Sequence, residues 1–195
     1  MSIAIFETPK VLIPAEVRKA RCQSVVTDWK GVSLSSSFEW SFVKDPQTLW
    51  FIASVPGQPD FDATPLRGEF VEGLWERDVA EFFIKDESGR YQEFNISPAG
   101  AWWTVLLTAY RTRSETTHEP RITAIDVKVE EMGWWALLGV ACDDLSVTLN
   151  ERSTIHVSGI SHKPTKHFIS SHPPAGVDPD FHHPECFQPV RFLPL

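Results

Sequence analysis

The sequence predicts an all-β fold, a single antiparallel β-sandwich of jelly-roll type over residues 1–195, with few or no long helices. Three observations predict it. Apolar and polar residues alternate with period two along most of the chain, the pattern of strands with one buried face. Clusters of Gly, Pro, Asn, Asp and Ser cut that pattern into ten or so short segments, the spacing of a sandwich or barrel. The chain also carries 8 Trp and 13 Phe, an aromatic load that suits a β-rich core and supplies rings for stacking on a ligand.

The elements follow in order. In "VSLSSSFEWSF" (residues 32–42), Val32, Leu34, Phe38, Trp40 and Phe42 share one face, and Ser33, Ser35, Ser37, Glu39 and Ser41 share the other. "TLWFIASV" (48–55), after the turn-forming "KDPQ", is apolar on both faces and reads as a central strand. Further strands are predicted at "DVAEFFIK" (78–85), "RYQEFNIS" (90–97), "AWWTVLLTAYR" (101–111), "ITAIDVKVE" (122–130) and "WWALLGVA" (134–141). "LSVTLNE" (145–151), "TIHVSGI" (154–160) and "FQPVRFL" (187–193) complete the set. Only "AEVRKAR" and "ACDDL" suggest a helical turn or two. Seven of the fifteen prolines lie between residues 160 and 195, which predicts a long irregular loop before the last strand.

Composition excludes several functions. The formal net charge of −8 argues against nucleic acid or an anionic membrane as the main partner. No apolar run approaches the roughly 20 residues that span a bilayer. The first residues lack the pattern of an export signal, so a cytoplasmic setting is expected. Cys22, Cys142 and Cys186 stand far apart in no CxxC arrangement and are read as free thiols. Oligomeric state is left open.

One hairpin carries the functional interest. "VAEFFI" places Glu81 inside an apolar strand, where a carboxylate costs stability unless it is hydrogen-bonded or meets water. Val79, Glu81 and Phe83 share a face; in the partner strand Tyr91, Glu93, Asn95 and Ser97 do. An odd-length loop over residues 86–90, around Gly89, sets Glu81 opposite Asn95, whereas a four-residue loop sets it against Phe94. The odd loop avoids stranding a carboxylate in the core. It predicts a polar patch of Glu81, Glu93, Asn95 and Ser97 that needs water or a hydroxyl-rich ligand. On the residues alone, Glu81 could instead be satisfied by backbone donors or by Arg77 or Arg111, and Trp75 could plug the end of the sandwich.

"LWERDVAEFFI", followed by "YQEFNISPAG", resembles the signature of family 9 carbohydrate-binding modules and their DOMON-like relatives. "PDFHHPECFQPVRFL" is similar to the family's closing segment before the last strand. The resemblance implies a β-sandwich that binds a carbohydrate or similar hydroxyl-rich ligand without catalysis, in a slot between two aromatic side chains. It assigns one wall to Trp75 and the other to Phe181, where the family usually has tryptophan. Glu81 falls on a hydroxyl-binding glutamate, and Asn95 falls where the family commonly has arginine. Thr148 and Asn150 match amide positions loosely, and Gln188 replaces a glycine. No cofactor is implied beyond a possible structural calcium, for which Asp60, Asp62, Asp143 and Asp144 are the acidic loop residues.

Three alternatives stand beside this reading. A haem- or metal-binding DOMON-type domain wants axial Met and His ligands, and only Met132 lies away from the N-terminus. A structural or interaction domain would leave the slot to a peptide or to nothing. A glycoside-acting enzyme would use a carboxylate pair among Glu76, Asp78 and Glu81, although Glu76 and Asp78 fall on the face opposite Glu81. The late histidines, His156, His162, His167, His172, His182 and His183, show no metal-binding spacing and are read as solvated loop residues. Of Trp102, Trp103, Trp134 and Trp135, all but one are expected in the core.

Overall fold

Among residues 2–116 and 118–195, which the computed structural model describes, the period-two segments form thirteen strands. One layer contains β5 (Val79–Lys85), β6 (Tyr91–Ile96), β7 (Trp102–Ala109), the short β8 (Thr112–Arg113), β11 (Thr154–Ser161) and β12 (His167–Ser170). The other contains β1 (Ile3–Glu7), β2 (Gln23–Thr27), β3 (Ser33–Lys44), β4 (Thr48–Pro56), β9 (Ile122–Glu130) and β10 (Gly133–Ala141). The strand order is β8-β7-β6-β5-β11-β13-β1-β3-β4-β10-β9, with β12 beside β11 and β2 beside β3. β13 (Gln188–Pro194) links the layers: Gln188 and Pro189 pair with β11, and Val190 to Pro194 pair with β1.

The alternation works as predicted. Inward residues of β5 and β6 (Ala80, Phe82, Ile84, Phe94, Ile96) meet Phe38, Trp40, Phe42, Phe51 and Trp134 of the opposite layer in one buried cluster. Phe82 is its centre, stacked on Phe94 at 4.7 Å and 11° and lying 4.6 Å from Phe51. The outer face of the β3–β4–β10 layer is covered by the chain around the one-turn helix α1 (Pro14–Val17), through Leu12 and Val17 against Val43, Trp50 and Leu137. Trp102, Trp103 and Trp134 are buried, and Trp135 is the partly exposed one, covered by the Arg18 guanidinium at 4.0 Å.

Four differences from the sequence expectations have local causes. Residues 145–151 are not a strand: Ser146 N–H donates to Gln92 Oε1 and Asn150 N–H to Ser153 Oγ, so side chains satisfy the backbone where a ladder was expected. The Pro-rich tail is not loop throughout, because β12 pairs with residues Ser158 to Ser161 of β11. β1 and β2 form at positions where no strand was predicted. β1 pairs in parallel with both β13 and β3, while the other ladders are antiparallel.

Candidate functional site

Residues on β5 that do not face the sandwich core face outward, and the registers align them into rows. One row is Ser158–Glu81–Asn95–Trp103, and the next is His156–Phe83–Glu93–Val105. The odd turn sets this register: Asp86 N–H donates to Arg90 O and Gly89 N–H to Asp86 O, with Gly89 at φ 86°. That left-handed conformation strains a residue with a Cβ. Glu81 therefore stands opposite Asn95, as the five-residue loop predicts.

Two segments close over these rows. Residues 70–76 cross one side, where Gly73 at φ 90° starts a 3₁₀ turn, Leu74–Glu76, and delivers Trp75 onto Trp103, with ring centroids 4.9 Å apart. On the other side the loop before β13 brings Phe181 between Trp29 (5.9 Å) and Phe168 (6.1 Å). Between them lies a cavity of about 410 Å³, lined by Trp75, Phe83, Trp103, Phe168 and Phe181 and floored by Glu81 and Glu93. That volume falls within the range of about 300–1,000 Å³ common for small-molecule sites.

The floor is acidic. Glu81 is buried and its Oε2 accepts one hydrogen bond, from Ser158 Oγ at 2.9 Å. Among the described residues its Oε1 has no partner. Glu93, diagonal to it on β6, accepts Asn95 Nδ2–H at Oε1 (2.8 Å), and its Oε2 lies 3.9 Å from His182 Nε2. Burial, then the Glu93 charge, holds the Glu81 carboxyl well above the usual range; burial does the same for Glu93. Two neighbouring carboxylates in a shielded site resist ionising together. Arg111 and Arg113 reach the rim half-exposed, but Arg111 is taken by Asp180 at 2.7 Å, while Arg113 bonds Glu72 and lies over Trp103.

The histidines hold this architecture and are not solvated, which corrects the sequence expectation for His156, His162, His167 and His182. His156 is fully buried: its Nδ1–H donates to the Phe181 carbonyl at 2.9 Å and its Nε2 meets Ser170 Oγ at 2.9 Å. It thereby pins the aromatic wall, and burial pushes its pKa down to about 3. His182 Nδ1 accepts from Tyr91 Oη at 3.0 Å, while Tyr91 Oη accepts Arg111 N–H. Burial lowers His182 to about 4, so it is neutral and carries its hydrogen on Nε2, toward Glu93. His162 bonds Asp78 and His167 bonds Asp28.

The fold thus brings Trp75, Phe181 and Glu81 to one cavity. Asn95 stands in the row but does not line the cavity; its amide is spent on Glu93, so it positions that carboxyl. Asn150 is not brought there: it bonds Glu87 at the hairpin turn and belongs to the irregular 145–151 segment, as does the exposed Thr148. Gln188 is buried in β13, with its amide on the Glu185 and Phe187 carbonyls. Glu76 is exposed and Asp78 is bound to His162, so the carboxylates that meet are Glu81 and Glu93. Asp60 and Asp62 face Arg77, Asp143 faces Arg121, and Asp144 faces His118; Met132 is exposed. Trp103, His182 and Phe168 were missed as site residues. For Trp103 the signal was present, since it shares a row with Glu81 and Asn95.

No family model matches the chain, and no curated protein matches it in sequence. Solved structures do. A candidate carbohydrate-binding protein from Bacteroides uniformis superposes with TM-score 0.74 at 17% identity, covering 98% of this chain and 99% of its own. A family 9 carbohydrate-binding module from Caldicellulosiruptor kristjanssonii in complex with glucose gives TM-score 0.62 at 11% identity, covering 100% and 97%. The same organism's family 9 module with cellotriose gives 0.58 at 12%, covering 100% and 95%. The chain has the fold of the family 9 carbohydrate-binding modules.

Proposed function

We propose that this domain is a non-catalytic module that binds one small sugar, held between Trp75 and Trp103 on one side and Phe181 and Phe168 on the other. The observation that carries the reading is the free Oε1 of buried Glu81 in an aromatic-walled cavity. A sugar offers what that arrangement lacks: C–H faces for the rings and hydroxyl donors for the carboxyl oxygens. Two of the solved structures with this fold hold glucose or cellotriose, which supports the same ligand class.

Calorimetric titration with a panel of mono- and oligosaccharides tests it. At least one sugar should bind, and Trp75→Ala should weaken that binding roughly 10- to 100-fold, the scale of an aromatic anchor. Trp75 is partly exposed and sits on a loop, so the variant should keep the wild-type melting behaviour within a few degrees. A panel without any binder, or binding indifferent to the loss of Trp75, overturns the proposal.

A further inference from the structure

The cavity floor sets two carboxyl groups side by side with no cation paired to either among the described residues. Among the described residues Glu81 Oε1 has no partner, and Glu93 Oε2 has no bond closer than the 3.9 Å approach of His182 Nε2. Ser158 Oγ is bonded to Glu81 and Asn95 Nδ2 to Glu93, while Arg111 and Arg113 at the rim pair with Asp180 and Glu72 and not with the floor. No lysine or arginine reaches either glutamate within ion-pair distance among the described residues, and no three His, Cys, Asp or Glu are grouped there to hold a metal ion. Around this floor stand the faces and edges of Trp75, Phe83, Trp103 and Phe181.

From this geometry we infer that the preferred ligand is an amino sugar, a saccharide whose free ammonium group sits between Glu81 and Glu93 against the aromatic walls. The inference rests on the sugar-binding reading above and narrows it. A neutral sugar hydroxyl gives one donor and no charge, so it leaves two adjacent carboxyls uncompensated. An ammonium gives three donors and no lone pair, and its charge lets two adjacent carboxylates ionise together. The ring quadrupoles attract the same cation. Acetylating the amine removes the charge and two of the donors, so an N-acetylated sugar of the same ring should lose the advantage.

The experiment is calorimetry near neutral pH with glucosamine, N-acetylglucosamine and glucose on the full chain, with Glu81→Gln as the variant and its fold checked by circular dichroism. Glucosamine should bind at least tenfold tighter than either neutral sugar. Glu81→Gln should remove most of that preference, weakening glucosamine binding at least tenfold more than it weakens glucose binding. If glucose or N-acetylglucosamine binds as tightly as glucosamine, the amine inference is overturned and the sugar-binding reading stands. If none of the three binds and the wider panel is silent, both fail. A preference that survives in a folded Glu81→Gln protein also overturns the inference, because the ammonium would then be held elsewhere.

Discussion

Replacing Glu81 with glutamine should make the protein more stable at neutral pH. In an unfolded chain the carboxyl titrates near about 4.3. In the folded protein burial and the adjacent Glu93 raise it. A group raised in this way contributes stability below its unfolded pKa and loses it as pH climbs through the folded one. A tenfold difference in proton affinity between the folded and unfolded chains corresponds to about 1.4 kcal/mol. Glutamine fills nearly the same volume and can still accept from Ser158 Oγ. We expect a gain of about 1–3 kcal/mol near neutral pH, at about 2–4 °C of melting temperature per kcal/mol for a chain of this size. The charged or titrating groups around the pair, Glu93 on β6 and His182, Arg111 and Arg113 at the cavity edge, stay in place in the variant. Thermal melts from acid to mildly alkaline pH supply the measurement. The gap between variant and wild type should widen as pH rises and close below about pH 4, where Glu81 is protonated in both folded and unfolded chains. A variant that is less stable throughout, or a gap independent of pH, would refute the reasoning.

The remaining expectations concern the frame around the site. Phe82→Ala removes a fully buried ring stacked on Phe94 and should cost about 3–5 kcal/mol, read from the denaturant midpoint; a loss below about 1 kcal/mol would mean that the core collapses around the gap. At acid pH the buried imidazoles should dominate. His156 and His182 are depressed to about 3 and about 4, so the stability they contribute is present above the unfolded value of about 6.5 and is lost as pH falls toward those values. The two raised glutamates oppose this loss until about pH 4.3, below which it should steepen. NMR of the imidazole carbons should show His156 untitrated down to about pH 4, and a normal titration near neutrality would contradict its burial.

Much of this was legible because it is local. The alternation in "VAEFFI" and "YQEFNI", together with five turn residues around Gly89, fixes which face Glu81 takes and what it meets. The strands at residues 122–130 and 134–141 were equally plain. What could not be read depends on contacts far along the chain. Nothing in "HFIS" reveals that it pairs with β11, and nothing in "DFHHPE" reveals that His182 folds onto Tyr91, ninety-one positions earlier. The histidines illustrate the limit. Solvated and buried imidazoles have the same sequence, and only the assembled sheet supplies the Phe181 carbonyl and Ser170 hydroxyl that make burial of His156 affordable. In residues 145–151 alternation misled, because Val147 packs on the core from a segment whose backbone is satisfied by side chains.

The pairing of β1 with β13 has a consequence for how the molecule is made. Ile3 sits beside Val190 and Glu7 beside Pro194, so the earliest strand and the latest are neighbours in the finished sheet. During synthesis β1 can pair with β3 early, but its other edge stays open until β13 has left the ribosome. The same late segment stitches one layer to the other at Ile155. The β1–β13 pairing is therefore a contact of high sequence separation, a closure expected to be slow and to leave an unpaired strand edge in need of protection while it waits.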